Sequence, residues 1–420
     1  MDKSYLKYIK IVALVLAIFY AYRCAHTGHD FEVFVYAGGK LINGQNIYTP
    51  PFIQNLQYYY SPLCALLLSP FASLPIVIPQ ILWIFCSYYF LYRIWILSTE
   101  YFDVSAFTNK QKLLWLFFSL LLTIRFILID VGFVQMTIFL LWATLQSLKC
   151  FKQQQNITGA ALLALATNIK LLPLAFVFYL IYRSQFKAAI FTCLFYVLYL
   201  FIPAIYLGWD RNMSLMHDWF TLINPVNKEW TIEAEDGPNS LVALIPVYII
   251  KTTGVLTFKR NFLDLSFSQV SMILNIVRLF FVLLTLVFLS SKPFKNITNS
   301  VKKFWEVSYL FIVIPLIYPH QQQYAFVYIS PAFIYLTWYL IKNWAAIKLK
   351  LNFLHWFLLA IIGFNFTPII GRDVITSYFF EVLLYLRILP IAAIALIPVL
   401  WLCKPDDEDG NNSLKTNTIY

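Results

Sequence analysis

Apolar runs of about 20 residues recur along the whole of this chain, and each could cross the hydrocarbon core of a bilayer as a helix. Of its 420 residues, 60% are hydrophobic and only 12% are charged. A soluble domain, with about 25% charged residues, cannot hide so much apolar surface. A transmembrane β-barrel would show alternating segments of about ten residues, whereas these runs are continuously apolar. The sequence therefore predicts an all-α, polytopic membrane protein.

The hydropathy pattern predicts about 10 full spans and a re-entrant helical hairpin. The hairpin is expected over 157–183, where two short apolar helices meet near Lys170 and Pro173 interrupts the helix ladder. Two long segments, about 26–75 and 208–269, are poor in Lys and Arg and are expected to be outer loops with interfacial helices. Residues 1–403 are predicted to form a single transmembrane domain, followed over 404–420 by an acidic, polar, disordered cytoplasmic tail.

The net charge of +11 comes from basic residues that lie mostly in short loops, where they set topology. Lys7 and Lys10 precede the first span and predict a cytoplasmic N-terminus, and the same rule predicts a cytoplasmic C-terminus and a multi-pass protein of the cell membrane. The basic residues are not clustered on a soluble module, so no nucleic-acid partner is expected. The six cysteines show no paired spacing, which argues against a disulfide framework or a metal cluster.

A polar pair, His29 and Asp30, opens the first outer loop. A carboxylate at the membrane boundary can accept a proton from a hydroxyl nucleophile. The alternative is a helix N-cap, since Asp is a favoured cap residue and FEVFVYAGGKLI could be the helix that it starts. From the residues alone the cap ranks somewhat ahead of the base.

Other polar residues have weaker signals. His320, in the turn YPHQQQY, could contact a phosphate or orient a base, or be an ordinary interfacial histidine.

An arginine within an apolar span usually faces inwards and is paired. Four arginines are therefore candidates for binding an anionic ligand: Arg125, Arg278, Arg372 and Arg387. The alternative is that they snorkel to the membrane surface or form structural ion pairs. The acids of the second outer loop have irregular spacing, which favours a solvated face over a metal site: Glu229, Glu233, Glu235 and Asp236.

Several short motifs follow one another in a fixed order: Asp30 with Tyr36, Gly44 and Tyr48; Tyr60-Ser61-Pro62; a small-residue helix ending in Lys170 and Pro173; Asn239-Ser240-Leu241; and His320 before a span rich in Tyr and Pro. Together they resemble glycosyltransferase family 87, the polyprenol-phosphate-mannose-dependent mannosyltransferases of the GT-C class. One departure lies at Gly132-Phe133-Val134-Gln135, where the family often has Gly-Gln-x-Asn.

The resemblance implies a GT-C fold and an enzyme that transfers a sugar, mannose in the family, from a polyprenyl-phosphate donor to a lipid or glycan acceptor. Transfer would occur at the outer face with inversion. Asp30 would be the catalytic base, ahead of the cap, and His320 would assist it or contact the phosphate. No cofactor or metal is implied. The residues expected to bind donor or acceptor are Tyr36, Tyr48, Tyr60, Arg125, Asn239, Arg278 and Arg372.

Two other classes of function stay open. A transporter or flippase of a lipid-linked saccharide would depend on Lys170 and on charges at the bilayer midplane, and would show inverted repeats, which the sequence does not. A structural membrane subunit would tolerate replacement of Asp30.

Overall fold

The computed structural model describes residues 3–27, 30–224, 227, 232–233, 237–252, 256–289, 293–371 and 374–405. These residues form α-helices, 3₁₀ turns and loops, and no β-strand occurs among them. The predicted all-α class is thereby confirmed. His29, Arg372, three of the second-loop acids (Glu229, Glu235 and Asp236) and residues 406–420 of the predicted tail lie outside the described residues.

The helices are numbered in chain order. The first eleven are α1 (Lys3–Thr27), α2 (Asp30–Ile42), α3 (Pro62–Leu68), α4 (Val77–Thr99), α5 (Asn109–Leu121), α6 (Ile124–Gly132), α7 (Thr137–Lys152), α8 (Asn156–Ile169), α9 (Ala175–Tyr182), α10 (Phe186–Leu207) and α11 (Trp209–Leu222). The others are α12 (Leu241–Leu244), α13 (Pro246–Ile249), α14 (Phe267–Leu289), α15 (Ser300–Ile317), α16 (Ser330–Lys350), α17 (Phe353–Phe366), α18 (Ser377–Tyr385) and α19 (Ile388–Leu402). The 3₁₀ turns are Ile53–Asn55, Ser69–Phe71, Leu172–Leu174 and Gln323–Ile329.

Among the described residues, four helices are long and apolar enough to cross a membrane: Val77–Thr99, Phe186–Leu207, Phe267–Leu289 and Gln323–Lys350. The number rises to seven if each of three bent helix pairs is one span. The sequence predicted about 10 spans. The difference arises because several apolar segments form helices of only 10–17 residues: Pro62–Phe71, Asn156–Ile169, Leu172–Tyr182 and Phe353–Phe366. The composition and these helices indicate a polytopic membrane protein.

The break predicted in the short hairpin is present and lies at Lys170. Helix α8 ends at Ile169, and Lys170 adopts an extended backbone with φ −146° and ψ 134°. A 3₁₀ turn that contains Pro173 follows, and α9 then begins at Ala175. Because Pro173 has no backbone N–H and its ring hinders helical geometry in the preceding residues, α8 cannot continue smoothly into α9.

The chain divides into two compact units, each made of several stretches of sequence. The first unit comprises Met1–Trp95, Leu128–Pro173 and Ile190–Ile223, and the second comprises Ile96–Ile127, Leu174–Ala189 and Asn224–Tyr420. The two units are described separately below.

In the first unit, α2 packs against α3 and α7 packs against α8. Helix α3 begins where the Ser61 hydroxyl caps it by accepting a hydrogen bond from the backbone N–H of Cys64, at 3.2 Å, with Pro62 at the first helical position. The same hydroxyl donates to the Asn168 Oδ1 atom near the end of α8, at 2.6 Å. Ser61 thus fixes the start of α3 next to the break at Lys170.

The second unit contains a buried ion pair between Arg183 and Glu306, with Nη2 and Oε1 2.5 Å apart. Arg183 also donates to the Leu289 carbonyl at 2.7 Å, and the Tyr179 hydroxyl donates to Glu306 at 3.3 Å. A buried ion pair is tolerated when further hydrogen bonds satisfy both groups, as here. We therefore assign these charges to the core of the unit and not to a binding site.

Candidate active site

In the first unit, the partly buried carboxylate of Asp30 lies at the first residue of α2. Its Oδ2 atom accepts a hydrogen bond from the Gln135 amide nitrogen. The amide oxygen of Gln135 accepts a longer hydrogen bond from the Tyr60 hydroxyl, at 3.5 Å. Because the amide donates on one side and accepts on the other, Gln135 links the predicted base to a predicted sugar-binding tyrosine.

The backbone around Gln135 is fixed by the turn between α6 and α7. Val134 has φ 53°, the left-handed region that β-branched residues rarely adopt, at a typical cost of about 1–3 kcal/mol. The Gln135 N–H donates to the Asp130 carbonyl at 2.9 Å, and the Trp83 indole N–H donates to the Gln135 carbonyl at 2.9 Å. These bonds hold the turn and aim the Gln135 side chain at Asp30.

Three charged groups of the first unit interact at this place. The Lys170 ammonium interacts electrostatically with the carboxylates of both Asp130 and Asp30. Asp130 is fully buried near the end of α6 and faces the Thr137 hydroxyl and the first backbone N–H groups of α7. These contacts are longer or less well aligned than hydrogen bonds, and neither Asp130 oxygen has a hydrogen-bond partner among the described residues. The positive charge of Lys170 therefore offsets the negative charges of two carboxylates, the buried Asp130 and the more accessible Asp30.

Aromatic side chains fix the segment that carries Tyr60, whose hydroxyl is bonded to Gln135. The Tyr48 hydroxyl donates to the Tyr60 carbonyl at 2.8 Å, and the Tyr58 hydroxyl donates to the Ser61 carbonyl at 2.9 Å. Burial raises the pKa of Tyr48 and Tyr58 well above the usual range, so both stay protonated donors. The Tyr60 ring meets Phe34 of α2 edge-on, with centroids 4.6 Å apart.

These contacts separate the predicted tyrosines by role. Tyr48 is only 7% exposed, and its hydroxyl is bonded to the Tyr60 carbonyl, so its side chain supports the position of Tyr60. Tyr60 is partly accessible and lies within hydrogen-bond reach of Gln135. Tyr36 is also partly accessible on α2, and its hydroxyl has no hydrogen-bond partner among the residues that the structure describes.

In the second unit, predicted residues meet at the loop Tyr318–Gln322, here called the His320 loop. His320 has φ 54°, and its backbone N–H donates to the Glu233 Oε2 atom at 2.9 Å. The His320 Nδ1 atom lies 3.6 Å from Glu233 Oε1, and the imidazole is 41% exposed. The Asn239 backbone N–H donates to the Gln321 carbonyl at 2.6 Å. Glu233, Asn239 and His320 are thus neighbours.

Arg125 also belongs to the second unit and lies against Gln323, just after the His320 loop. Its Nη1 donates to the Asn365 carbonyl at 3.0 Å and its Nη2 to the Gln323 side-chain oxygen at 3.0 Å. Both acceptors are neutral, and within the described ranges no carboxylate pairs with Arg125. A positive charge held only by neutral oxygens is suited to an anionic ligand.

Arg278 is on α14, and its hydrogen-bond partner among the described residues is Asn275 of the same helix, at 3.4 Å. Hydrogen bonds connect Asn239 to the His320 loop and Arg125 to Gln323 just after it, and within the described ranges none connects Arg278 to them.

The family model of glycosyltransferase family 87 matches residues 58–294, more than half of the chain. The chain belongs to glycosyltransferase family 87. Membership makes it a membrane glycosyltransferase, as the resemblance of its motifs predicted. No curated protein matches it, and no solved structure does.

In this glycosyltransferase, the matched region includes Tyr60, Gln135, Lys170 and Asn239, whereas Asp30 and His320 lie outside it. The assignments of Asp30 and His320 rest on the geometry above and on the motif resemblance. They remain predictions.

Neither Gln135 nor Asp130 was predicted from the sequence as a site residue, and the stretch Gly132-Phe133-Val134-Gln135 departs from the family pattern. In the structure Asp130 is fully buried and Gln135 is 3% exposed. Single polar residues next to long apolar runs were the available signal, since such residues usually face the protein interior and mark function.

The hydrogen bond from Gln135 gives a first prediction. Gln135→Leu is expected to lower kcat for sugar transfer by about tenfold with little change in KM, because a mispositioned catalytic group costs rate more than ground-state binding. Gln135→Glu is expected to cost more, since it places a second carboxylate beside Asp30. Gln153→Leu, at an exposed position after α7, is the control. Wild-type kcat in Gln135→Leu would show that Asp30 is positioned without this amide.

Proposed function

We propose that this glycosyltransferase transfers a sugar, with mannose as the expected one, from a polyprenyl-phosphate donor to an acceptor hydroxyl. Asp30 acts as the general base. The reaction takes place at the outer face of the cell membrane, both termini are cytoplasmic, and the acceptor is a lipid or a glycan. Long apolar helices give a polyprenyl chain a lateral route to the enzyme from the surrounding membrane lipids.

The chemistry requires one base. The Asp30 carboxylate removes the proton from the acceptor hydroxyl, and the acceptor oxygen forms a bond to the anomeric carbon on the side opposite the phosphate. The bond between that carbon and the phosphate oxygen breaks, and its electron pair leaves with the polyprenyl phosphate. The phosphate leaves as a stable anion and needs no proton from an acid. A β-linked donor therefore gives an α-linked product.

The observation that carries the proposal is the Gln135 amide bound to Asp30, beside Lys170 and Asp130. A base must be held in one orientation, and the hydrogen bond from Gln135 does this. The Lys170 ammonium interacts with the Asp30 carboxylate, and a neighbouring cation favours the ionised form of a carboxylate that a general base needs.

The residues of the second unit have proposed supporting roles. Arg125 is assigned to the donor phosphate, because its guanidinium is held by neutral oxygens only. His320 is assigned to the base or to the phosphate, and Asn239 to the sugar. In the first unit, Tyr60 and Tyr36 are assigned to the sugar as stacking surfaces. Arg278 and Arg372 are carried forward from the resemblance alone.

The test is reconstitution of the purified full-length protein in nanodiscs with polyprenyl-phosphate-mannose and a membrane lipid extract. We expect new mannosylated products by mass spectrometry, with an α-linkage by NMR. A donor with the corresponding pentose is assayed in parallel, and faster transfer of the pentose would replace mannose. Transfer from a nucleotide-sugar instead would overturn the lipid donor, and a β-linked product would overturn direct inversion.

The competing transporter hypothesis relied on Lys170 as a separate polar site. In the structure Lys170 interacts with Asp30, so loss of activity in a Lys170 variant no longer distinguishes the two functions. The distinguishing experiment is chemical: a transporter moves the intact lipid-linked saccharide across vesicles, whereas the enzyme forms a new glycosidic bond.

A further inference from the structure

Among the buried oxygen atoms of the second unit, four that lie near one another have no hydrogen-bond partner in the part of the chain that the structure describes. They are Glu233 Oε1, Asn239 Oδ1, Ser240 Oγ and Gln321 Oε1. The residues that carry them are 5%, 1%, 0% and 2% exposed. Buried polar atoms are nearly always paired, because an unpaired one loses its hydrogen bonds to water without replacement. Four in one neighbourhood therefore call for a ligand.

Backbone hydrogen bonds place these four residues, here called the oxygen cluster, next to one another. The Asn239 N–H donates to the Gln321 carbonyl at 2.6 Å. The N–H of His320, which precedes Gln321, donates to the second carboxylate oxygen of Glu233 at 2.9 Å. The Glu233 N–H donates to the carbonyl of Val242, two residues after Ser240, at 2.9 Å. Three segments of the chain thus contribute oxygens to one place.

The orientation of the two amides is set by their own donors. The Asn239 amide nitrogen donates to the Gly237 carbonyl at 2.5 Å, and the Gln321 amide nitrogen donates to the Pro319 carbonyl at 2.6 Å. Turning either amide over would place its oxygen against a carbonyl oxygen. The amide oxygens therefore keep their unpartnered positions, and the cluster offers acceptors, one of them a carboxylate oxygen.

We propose that the oxygen cluster binds a hard divalent cation, with Ca²⁺ as the best fit. Ca²⁺ accepts carboxylate, amide carbonyl and hydroxyl oxygens in flexible geometry and completes its shell with water or backbone carbonyls. A sugar would bring hydroxyl groups that donate and also accept, whereas three of the four unpaired atoms, the carboxylate oxygen and the two amide oxygens, can only accept.

The cation would join Glu233, Asn239 and Ser240 to the His320 loop. It would neutralise the Glu233 carboxylate, whose Oε1 lies 3.6 Å from the His320 imidazole, and would hold the loop that presents His320. With one carboxylate among neutral oxygens, the site belongs to the weaker class of calcium sites, with Kd of about 10⁻⁴–10⁻³ M. The cation would then replace two expectations at this place: that no metal is bound, and that the Asn239 side chain contacts the sugar.

The test is thermal unfolding of the full-length detergent-solubilised protein, without sugar donor, after EDTA treatment and titration with CaCl₂ or MgCl₂. We expect Ca²⁺ to raise Tm with a midpoint of about 0.1–1 mM and Mg²⁺ to act more weakly. Glu233→Gln is expected to weaken the Ca²⁺ midpoint at least about tenfold, because a charged ligand is lost. Asp103→Asn, an exposed carboxylate bonded to the Ser105 N–H, is the matched control and should titrate as wild type.

Several outcomes would overturn the site. They are the absence of a shift in wild type with either cation, an equal midpoint in Glu233→Gln, and a Tm increase with mannose 1-phosphate in EDTA, which would identify a sugar subsite instead. If Glu233→Gln does not fold, Ser240→Ala serves as the second variant and should weaken binding severalfold. Calorimetric titration of wild type with CaCl₂ checks the affinity directly. None of these measurements depends on the proposed glycosyl transfer.

Discussion

Asp30→Asn is expected to lower kcat for sugar transfer by about 10²–10⁴-fold, the contribution of a positioned general base. Asparagine keeps the size of the side chain, and its amide oxygen can still accept the hydrogen bond that Gln135 donates to Asp30. It cannot take a proton from the acceptor hydroxyl. Because the geometry is kept and only the basicity is lost, KM for the donor should change little. Initial rates with purified protein and polyprenyl-phosphate-mannose measure both constants.

The matched control lies two residues further along the same helix. Glu32 is also a carboxylate of α2, and its Oε2 atom accepts a hydrogen bond from the exposed Gln54 side chain at 2.5 Å. Glu32→Gln removes an equal charge near the same helix terminus, so a general electrostatic effect would appear in both variants. We expect Glu32→Gln to stay near the wild-type rate. A near-normal rate of sugar transfer by Asp30→Asn would contradict the assignment of Asp30 as the general base.

Gly38→Ala is expected to lower Tm and to reduce activity strongly, because α2 has no room for a side chain at this position. A Cβ atom on Gly38 would lie 2.8 Å from the Ser69 Cα and N atoms and 2.9 Å from the Ala65 carbonyl oxygen. All three are backbone atoms that cannot rotate away, so α2 would have to move off α3. Overpacking of this kind costs about 1–3 kcal/mol. Since α2 begins at Asp30, the shift would also displace the base.

The adjacent glycine provides the control. A Cβ atom on Gly39 would meet only the Ala72 methyl group, at 3.4 Å, which is ordinary contact. Alanine has a higher helix propensity than glycine by about 1 kcal/mol, so Gly39→Ala should be neutral or slightly stabilising. Thermal unfolding and transfer rates of both variants are compared. Equal behaviour of the two would show that close packing of α2 on α3 does not control the position of Asp30.

The fold class and the family could be predicted from the sequence, because both depend on features that can be read directly from the order of the residues. Continuous apolar runs fix an all-α membrane protein, and the order of short motifs indicated the family that the family model then matched. The number of spans was harder to predict from the sequence. Hydropathy measures the length of an apolar segment, but breaks such as the one at Lys170 decide how long each helix is.

The residues of the candidate site could be predicted only in part, and the reason is different. Asp30 and Gln135 are 105 positions apart, and their hydrogen bond depends on how α2 packs near the turn between α6 and α7. Periodicity shows which side of a helix is apolar, but it does not show which two polar residues meet. Lys170 was expected beside a helix break, and only the tertiary structure shows that it interacts with Asp30 and Asp130.

One lysine shared by two carboxylates has a genetic consequence. Lys170→Met would leave the fully buried Asp130 without its cation, which is costly in a protein interior. A second change, Asp130→Asn, would remove the orphaned charge, so the double variant should be more stable than Lys170→Met alone. The two substitutions are therefore expected to show strong epistasis, with Asp130→Asn as an intragenic suppressor of the Lys170 defect in protein abundance.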